Sequence, residues 1–166
     1  MKSLITTICI LSLVGMVAGV AVQGANTAPV SATVTPKKIS VSVSPSSVAY
    51  GTVALDTEVF PTGDPAITAT NDGNVTETLN IVGANATFGA NTWTLSGTAN
   101  GADIYMHKFD TPAYADPYTA LTTSYQTLAA SVASSGTQDF KLKIKTPVST
   151  LAYGEYSTTV TIQATE

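Results

Sequence analysis

Alternation of apolar and polar residues recurs along most of this chain, and it admits few folds. Ile39-Ser40-Val41-Ser42-Val43-Ser44 places three β-branched residues on one face and three serines on the other. Phe140-Lys141-Leu142-Lys143-Ile144-Lys145 repeats the pattern with lysines outside, and Thr158, Val160 and Ile162 alternate with Thr159, Thr161 and Gln163. Successive side chains of a strand point to opposite faces, so each run reads as a half-buried antiparallel strand. Weaker candidates are 53–55, 67–70, 77–82, 92–96, 104–109 and 125–132. Turn-forming stretches separate them, among them Pro61-Thr62-Gly63-Asp64-Pro65, Asn71-Asp72-Gly73-Asn74, Asn100-Gly101 and Ser134-Ser135-Gly136. About eight or nine short strands at this spacing predict an all-β fold, an antiparallel β-sandwich of jelly-roll or immunoglobulin-like type. Residues 113–122 carry two tyrosines and a proline and read as a loop with a turn of helix.

The N-terminus follows different rules. Met1-Lys2-Ser3 is short and basic, an apolar run extends to about Val22, and Gln23-Gly24-Ala25 offers small residues for cleavage. This is the layout of a secretory signal peptide over residues 1–25, cut after Gly24 or Ala25. A retained membrane anchor is the rival, weakened by Gly15, Gly19, Thr6 and Thr7 within the run. Cleavage removes Cys9, the single cysteine, and leaves about 141 residues in one domain over 38–166. Strand pairing and packing alone must then hold the fold, without disulfides, although an extracellular compartment permits them. Arginine is absent, and the six lysines left face eleven acids, a net charge of −5. A chain so poor in positive charge is no nucleic-acid binder.

The residues supply little catalytic chemistry. A nucleophile needs a base beside it, and the one histidine, His107, lies in phase with Tyr105 and Phe109 on a strand, as a packing or surface residue does. There is no G-x-S-x-G, H-E-x-x-H or C-x-x-C, no glycine-rich phosphate loop and no set of zinc ligands, so no enzyme is expected and no cofactor is required. Loop carboxylates could pair as a hydrolase acid and base, but nothing selects a pair. Asp72, Asp110 and Asp116 are weak calcium candidates in turns that an Asp or Asn also makes by bonding its own backbone. Asn74-Val75-Thr76 and Asn85-Ala86-Thr87 match the glycosylation acceptor pattern. Trp93 with Tyr105, Tyr114, Tyr118 and Tyr125 could build a sugar-stacking platform, against the plainer reading of Trp93 as core; a secreted carbohydrate- or surface-binding module therefore stays open.

Residues 26–37 form an extended arm. Val30, Ala32 and Val34 alternate with Ser31, Thr33 and Thr35 between Pro29 and Pro36. The arm is either a disordered leader or a detachable strand that completes a neighbouring subunit's sheet. There is also an internal echo: Ala49-Tyr50-Gly51 and Ala152-Tyr153-Gly154 each follow a strand that ends at a proline, Pro45 and Pro147. Both tyrosines read as rim residues with a buried ring and a hydroxyl in need of a partner.

The layout of Val48-Ala49-Tyr50-Gly51-Thr52-Val53, of Asn71-Asp72-Gly73-Asn74-Val75-Thr76-Glu77-Thr78-Leu79 and of the closing Tyr153-Gly154-Glu155-Tyr156-Ser157-Thr158-Thr159-Val160-Thr161-Ile162 resembles that of secreted β-sandwich surface-fibre subunits. These are the camelysin-like biofilm-matrix fibre proteins and the archaeal bundling pili similar to them. The resemblance covers about 38–166 and rests on sandwich grammar shared with many adhesion modules. It implies a jelly-roll-like domain, secretion to the cell surface, and a homopolymer in which Val30, Ala32 and Val34 are donated between subunits. It carries no protease activity, since no metal-binding motif is present. The sequence shows no sorting motif or C-terminal apolar segment, so self-association is the expected means of retention at the surface.

Overall fold

The computed structural model describes residues 27–114 and 116–166, and the chain divides into two units, Met1–Thr35 and Pro36–Glu166. The expected signal peptide lies outside the described residues. Residues 27–35 of the first unit form neither strand nor helix and are exposed throughout, with Val30 91% and Val34 89% accessible. No helix among the described residues is long and apolar enough to cross a membrane.

The second unit is all-β. Its eleven strands are β1 (Val41–Ser44), β2 (Glu58–Val59), β3 (Ile67–Asn71), β4 (Glu77–Val82), β5 (Ala86–Phe88), β6 (Asn91–Leu95), β7 (Ile104–Asp110), β8 (Thr119–Ala120), β9 (Gln126–Val132), β10 (Thr137–Lys145) and β11 (Thr161–Thr165). They form two sheets, as expected of a sandwich. The larger runs β1-β3-β10-β7-β6-β5, with β2 beside β10 and β8 beside β7; the smaller is β11-β4-β9. Every pairing is antiparallel except β6 with β7, which is parallel over Thr94↔Ile104 and Leu95↔Tyr105.

The core lies where the alternation aims it. Phe140, Leu142 and Ile144 of β10, Ile67 and Ala69 of β3, Tyr105 and Phe109 of β7, and Leu79 and Ile81 of β4 are all buried. The strand count exceeds the expected eight or nine because β2, β5 and β8 are two or three residues long, too short to show a period. The weak candidate at 53–55 forms no strand, and in place of a helical turn residues 119–120 form β8.

One face departs from simple alternation. Lys143 should point to solvent, yet it is buried. β2 pairs with β10 beyond the end of β3 and β8 pairs with β7 beyond the end of β6, and next to them in sequence Phe60 and Tyr118 close on its ammonium at 5.0 and 5.3 Å from their ring centres. Glu58 and Asp116 pair with it at 3.1 and 3.0 Å, and Glu58 also takes Lys108 at 3.0 Å. Burial alone would lower the Lys143 pKa, but hydrogen bonds to Asp116 and Glu58 outweigh it and hold the amine charged above its ordinary range. Burial raises the Glu58 pKa, and the two lysines outweigh that and lower it.

At the root of the arm the chain is clasped. Asn74 donates from Nδ2 to the Pro36 carbonyl at 2.8 Å and accepts the Lys38 N–H at 2.8 Å, while Lys37 pairs with Glu166. The turn residues that anchor this clasp are themselves fixed. Asn71 is fully buried, donates to the Val75 and Val132 carbonyls and accepts the Gly73 N–H. Gly73 is required there, because a Cβ would stand 2.2 Å from Glu77 Oε1 and 2.5 Å from the Lys38 carbonyl oxygen.

Candidate functional site

Three strands cannot cover a sheet of eight. β1 and β11 are the end strands of their sheets and approach one another, and beyond them the two layers part. The result is a groove of about 980 Å³. Its floor is formed by buried residues of the larger sheet: Ile67, His107, Phe140, Leu142 and Ile144. One wall is the chain that leaves β1, residues 46–55, presenting Val48, Tyr50, Val53 and Leu55. The other is the chain that enters β11, residues 152–160, presenting Tyr153, Tyr156 and Val160. The two Tyr-Gly steps of the internal echo thus stand on opposite walls of one groove.

Neither wall forms a strand. Among the described residues, no N–H of 46–55 donates a hydrogen bond, and none of 152–156 does. Each wall is fixed by contacts with neighbouring segments. The Ala49 carbonyl accepts the Thr62 N–H at 2.8 Å and the Ala54 carbonyl accepts the Thr146 hydroxyl at 2.8 Å. On the other wall Ser157 and Thr87 exchange backbone bonds at 2.8 and 3.0 Å. Tyr156 stacks on Trp93 with ring centres 3.9 Å apart and planes at 15°, and Phe88 packs against Tyr156 at 5.6 Å. Phe88 also lies flat on Gly154, where a Cβ would come within 2.2–2.5 Å of its ring. Backbone N–H groups without a partner are a template for pairing with an added strand.

The floor carries one polar group. His107 is 2% exposed, and its Nε2 lies 2.7 Å from the Tyr50 hydroxyl, with the rings edge-to-face at 5.7 Å. Its Nδ1 is buried without a partner. Burial pushes the imidazole pKa down to about 4, and raises that of the Tyr50 hydroxyl through burial first and the nearby Tyr105 second. His107 is thus a buried, neutral histidine whose side-chain hydrogen-bond partner is the Tyr50 hydroxyl. Tyr105, with its pKa raised to about 12 by burial, spends its hydroxyl on the Ala84 carbonyl.

The other sequence candidates fall elsewhere. Trp93 is half-buried, stacked on Tyr156, and donates Nε1–H to Thr150 at 2.8 Å. Tyr114 and Tyr118 lie with the lysines of β10, so the five-residue aromatic platform is divided between two places. Tyr153 is 79% exposed, against the expectation of a buried ring; Tyr50 alone fits it. Asp116 pairs with Lys143, Asp110 closes β7, and Asp72 is exposed in the Asn71–Asn74 turn. The described residues contain no group of three or more His, Cys, Asp or Glu placed to hold a metal ion. Asn74 spends its Nδ2 on Pro36, whereas Asn85 is exposed and uses only Oδ1, which accepts the Leu95 N–H at 2.9 Å. The groove itself was missed in the sequence; its one trace is the pair of Tyr-Gly steps. The chain matches no protein-family model, and no curated protein or solved structure matches it.

Proposed function

We propose that this protein is a non-catalytic structural subunit of an extracellular filament or pilus-like fibre, and that it polymerises by donating residues 26–35 to a neighbouring copy. The supporting observation is the groove, a largely apolar floor between two walls whose N–H groups at 46–55 and 152–156 make no hydrogen bond among the described residues. An incoming strand pairs with a wall through its backbone and fills the floor with alternate side chains, the general mode of β-augmentation. The arm has the matching pattern. Val30, Ala32 and Val34 form one face, both valines stand in water, and ten residues in strand conformation reach about 33 Å at 3.3 Å each. Secretion belongs to the same reading, since an external fibre needs an export signal such as the one read at residues 1–25.

Negative-stain electron microscopy of the secreted, processed chain at high concentration, with and without calcium, tests the reading. Filaments are expected in at least one condition. Compact single particles in both overturn it and leave a binding module, in which Trp93 emission would respond to a glycan instead.

A further inference from the structure

The Tyr50–His107 pair ties a groove wall to the groove floor. Tyr50 belongs to the wall 46–55, which has no ladder of its own, and His107 belongs to β7 inside the large sheet. Among the described residues, their 2.7 Å hydrogen bond is the one side-chain bond between that wall and β7. We propose that this pair is an acid-sensitive latch: with His107 neutral it holds the wall at the spacing an incoming strand needs, and with His107 protonated the wall swings away and the strand is released. The proposal rests on the strand-accepting role of the groove and adds how that role is regulated.

The chemistry follows from donor counting. Neutral imidazole has one N–H and one bare nitrogen, and Tyr50 satisfies Nε2 in either tautomer. Imidazolium has two N–H groups, and Nδ1 has no acceptor within the fold. The surroundings give the charge no relief. Ile144 of β10 lies directly across from His107, Tyr105 is its neighbour on the same face of β7, and from the β8 side Leu121 donates only to its backbone carbonyl. Glu155 is the only charged residue lining the groove, and it is exposed. Lys108 points to the other face of β7, where Glu58 holds it. Protonation therefore requires water to reach the ring, which means the wall must move.

The sign is fixed by linkage. In the closed latch the imidazole titrates near 4, and in an open, wetted wall near its ordinary 6.5. The open state thus binds the proton more tightly, so opening becomes up to tenfold more favourable per pH unit as pH falls from 6.5 to 4, about 300-fold in all, and levels off below.

Hydrogen exchange of the secreted chain, corrected for intrinsic rates, reads the wall at the Thr62 N–H bonded to the Ala49 carbonyl. Its protection is expected to fall with this slope in the wild type and to stay flat in His107→Gln, which keeps every carboxylate. Tyr50→Phe is expected to show the open wall already at pH 7 while retaining its circular dichroism. Where filaments form, subunit release follows the same pH profile. The same pH profile in wild type and His107→Gln overturns the latch. Should His107→Gln not fold, the ring nitrogen shifts of the wild type decide: a midpoint at 6–6.5 with Thr62 still protected overturns it. Exchange is read on single subunits as well as on polymers, so a chain that forms no filaments sinks the fibre reading and still tests the latch.

Discussion

Removal of residues 26–35 is expected to abolish polymerisation and leave the fold intact. The core strands all lie within Pro36–Glu166, and residues 27–35 are exposed throughout. Thermal midpoints of the two forms should agree within about 2 °C, since surface changes away from packed features move stability little. The assembly effect should be large. Placing a valine side chain in an apolar site is worth about 1.5–3 kcal/mol. Val30→Asp with Val34→Asp therefore weakens strand capture by at least about 3 kcal/mol, over a hundredfold in the critical concentration, and the desolvation of two carboxylates adds to it. Sedimentation of dilution series measures this directly. Undiminished filaments from the shortened chain would mean that the arm is not the polymerising element.

Phe140→Ala is expected to do the reverse and damage the fold itself. Phe140 is 2% exposed, and its side chain serves both the core and the groove floor. Truncating a buried phenylalanine removes its transfer energy and leaves a cavity, together about 3–5 kcal/mol. For a domain of this size that corresponds to a fall of roughly 10–15 °C in the melting temperature. Tyr153→Ala, on the groove rim and largely in solvent, should shift the midpoint by less than about 2 °C. Equal losses for the two variants in calorimetry would contradict the placement of core and rim.

Much of this division was legible in the sequence, because alternation is a local signal. Phe140, Leu142 and Ile144 announce their shared face by spacing alone, and the structure buries all three. Lys143 could not be read in the same way. Its burial depends on β2 and β8, whose two residues each carry no period, and on Glu58, which lies far away in sequence. Val53 and Leu55 have strand composition but no neighbour to pair with in their own chain, so the β-propensity of 53–55 goes unused. The groove is a property of sheet widths, three strands against a row of six, and strand order is invisible to any local pattern. His107 reads in the sequence as a packing or surface residue, but its partner Tyr50 is 57 positions distant, and only the fold joins them.

Cysteine trapping places the arm most directly. The expected processed chain has no cysteine, so two populations, Val34→Cys and Val53→Cys, can be mixed and oxidised without competing thiols. A disulfide forms only when the two Cβ atoms come within about 3.5–4.5 Å. The account predicts a disulfide-linked species that joins the arm of one copy to the groove wall of another and disappears when Val30 and Ala32 are replaced by aspartate. Efficient trapping at a position on the lysine-bearing face of β10, with none at residue 53, would contradict it.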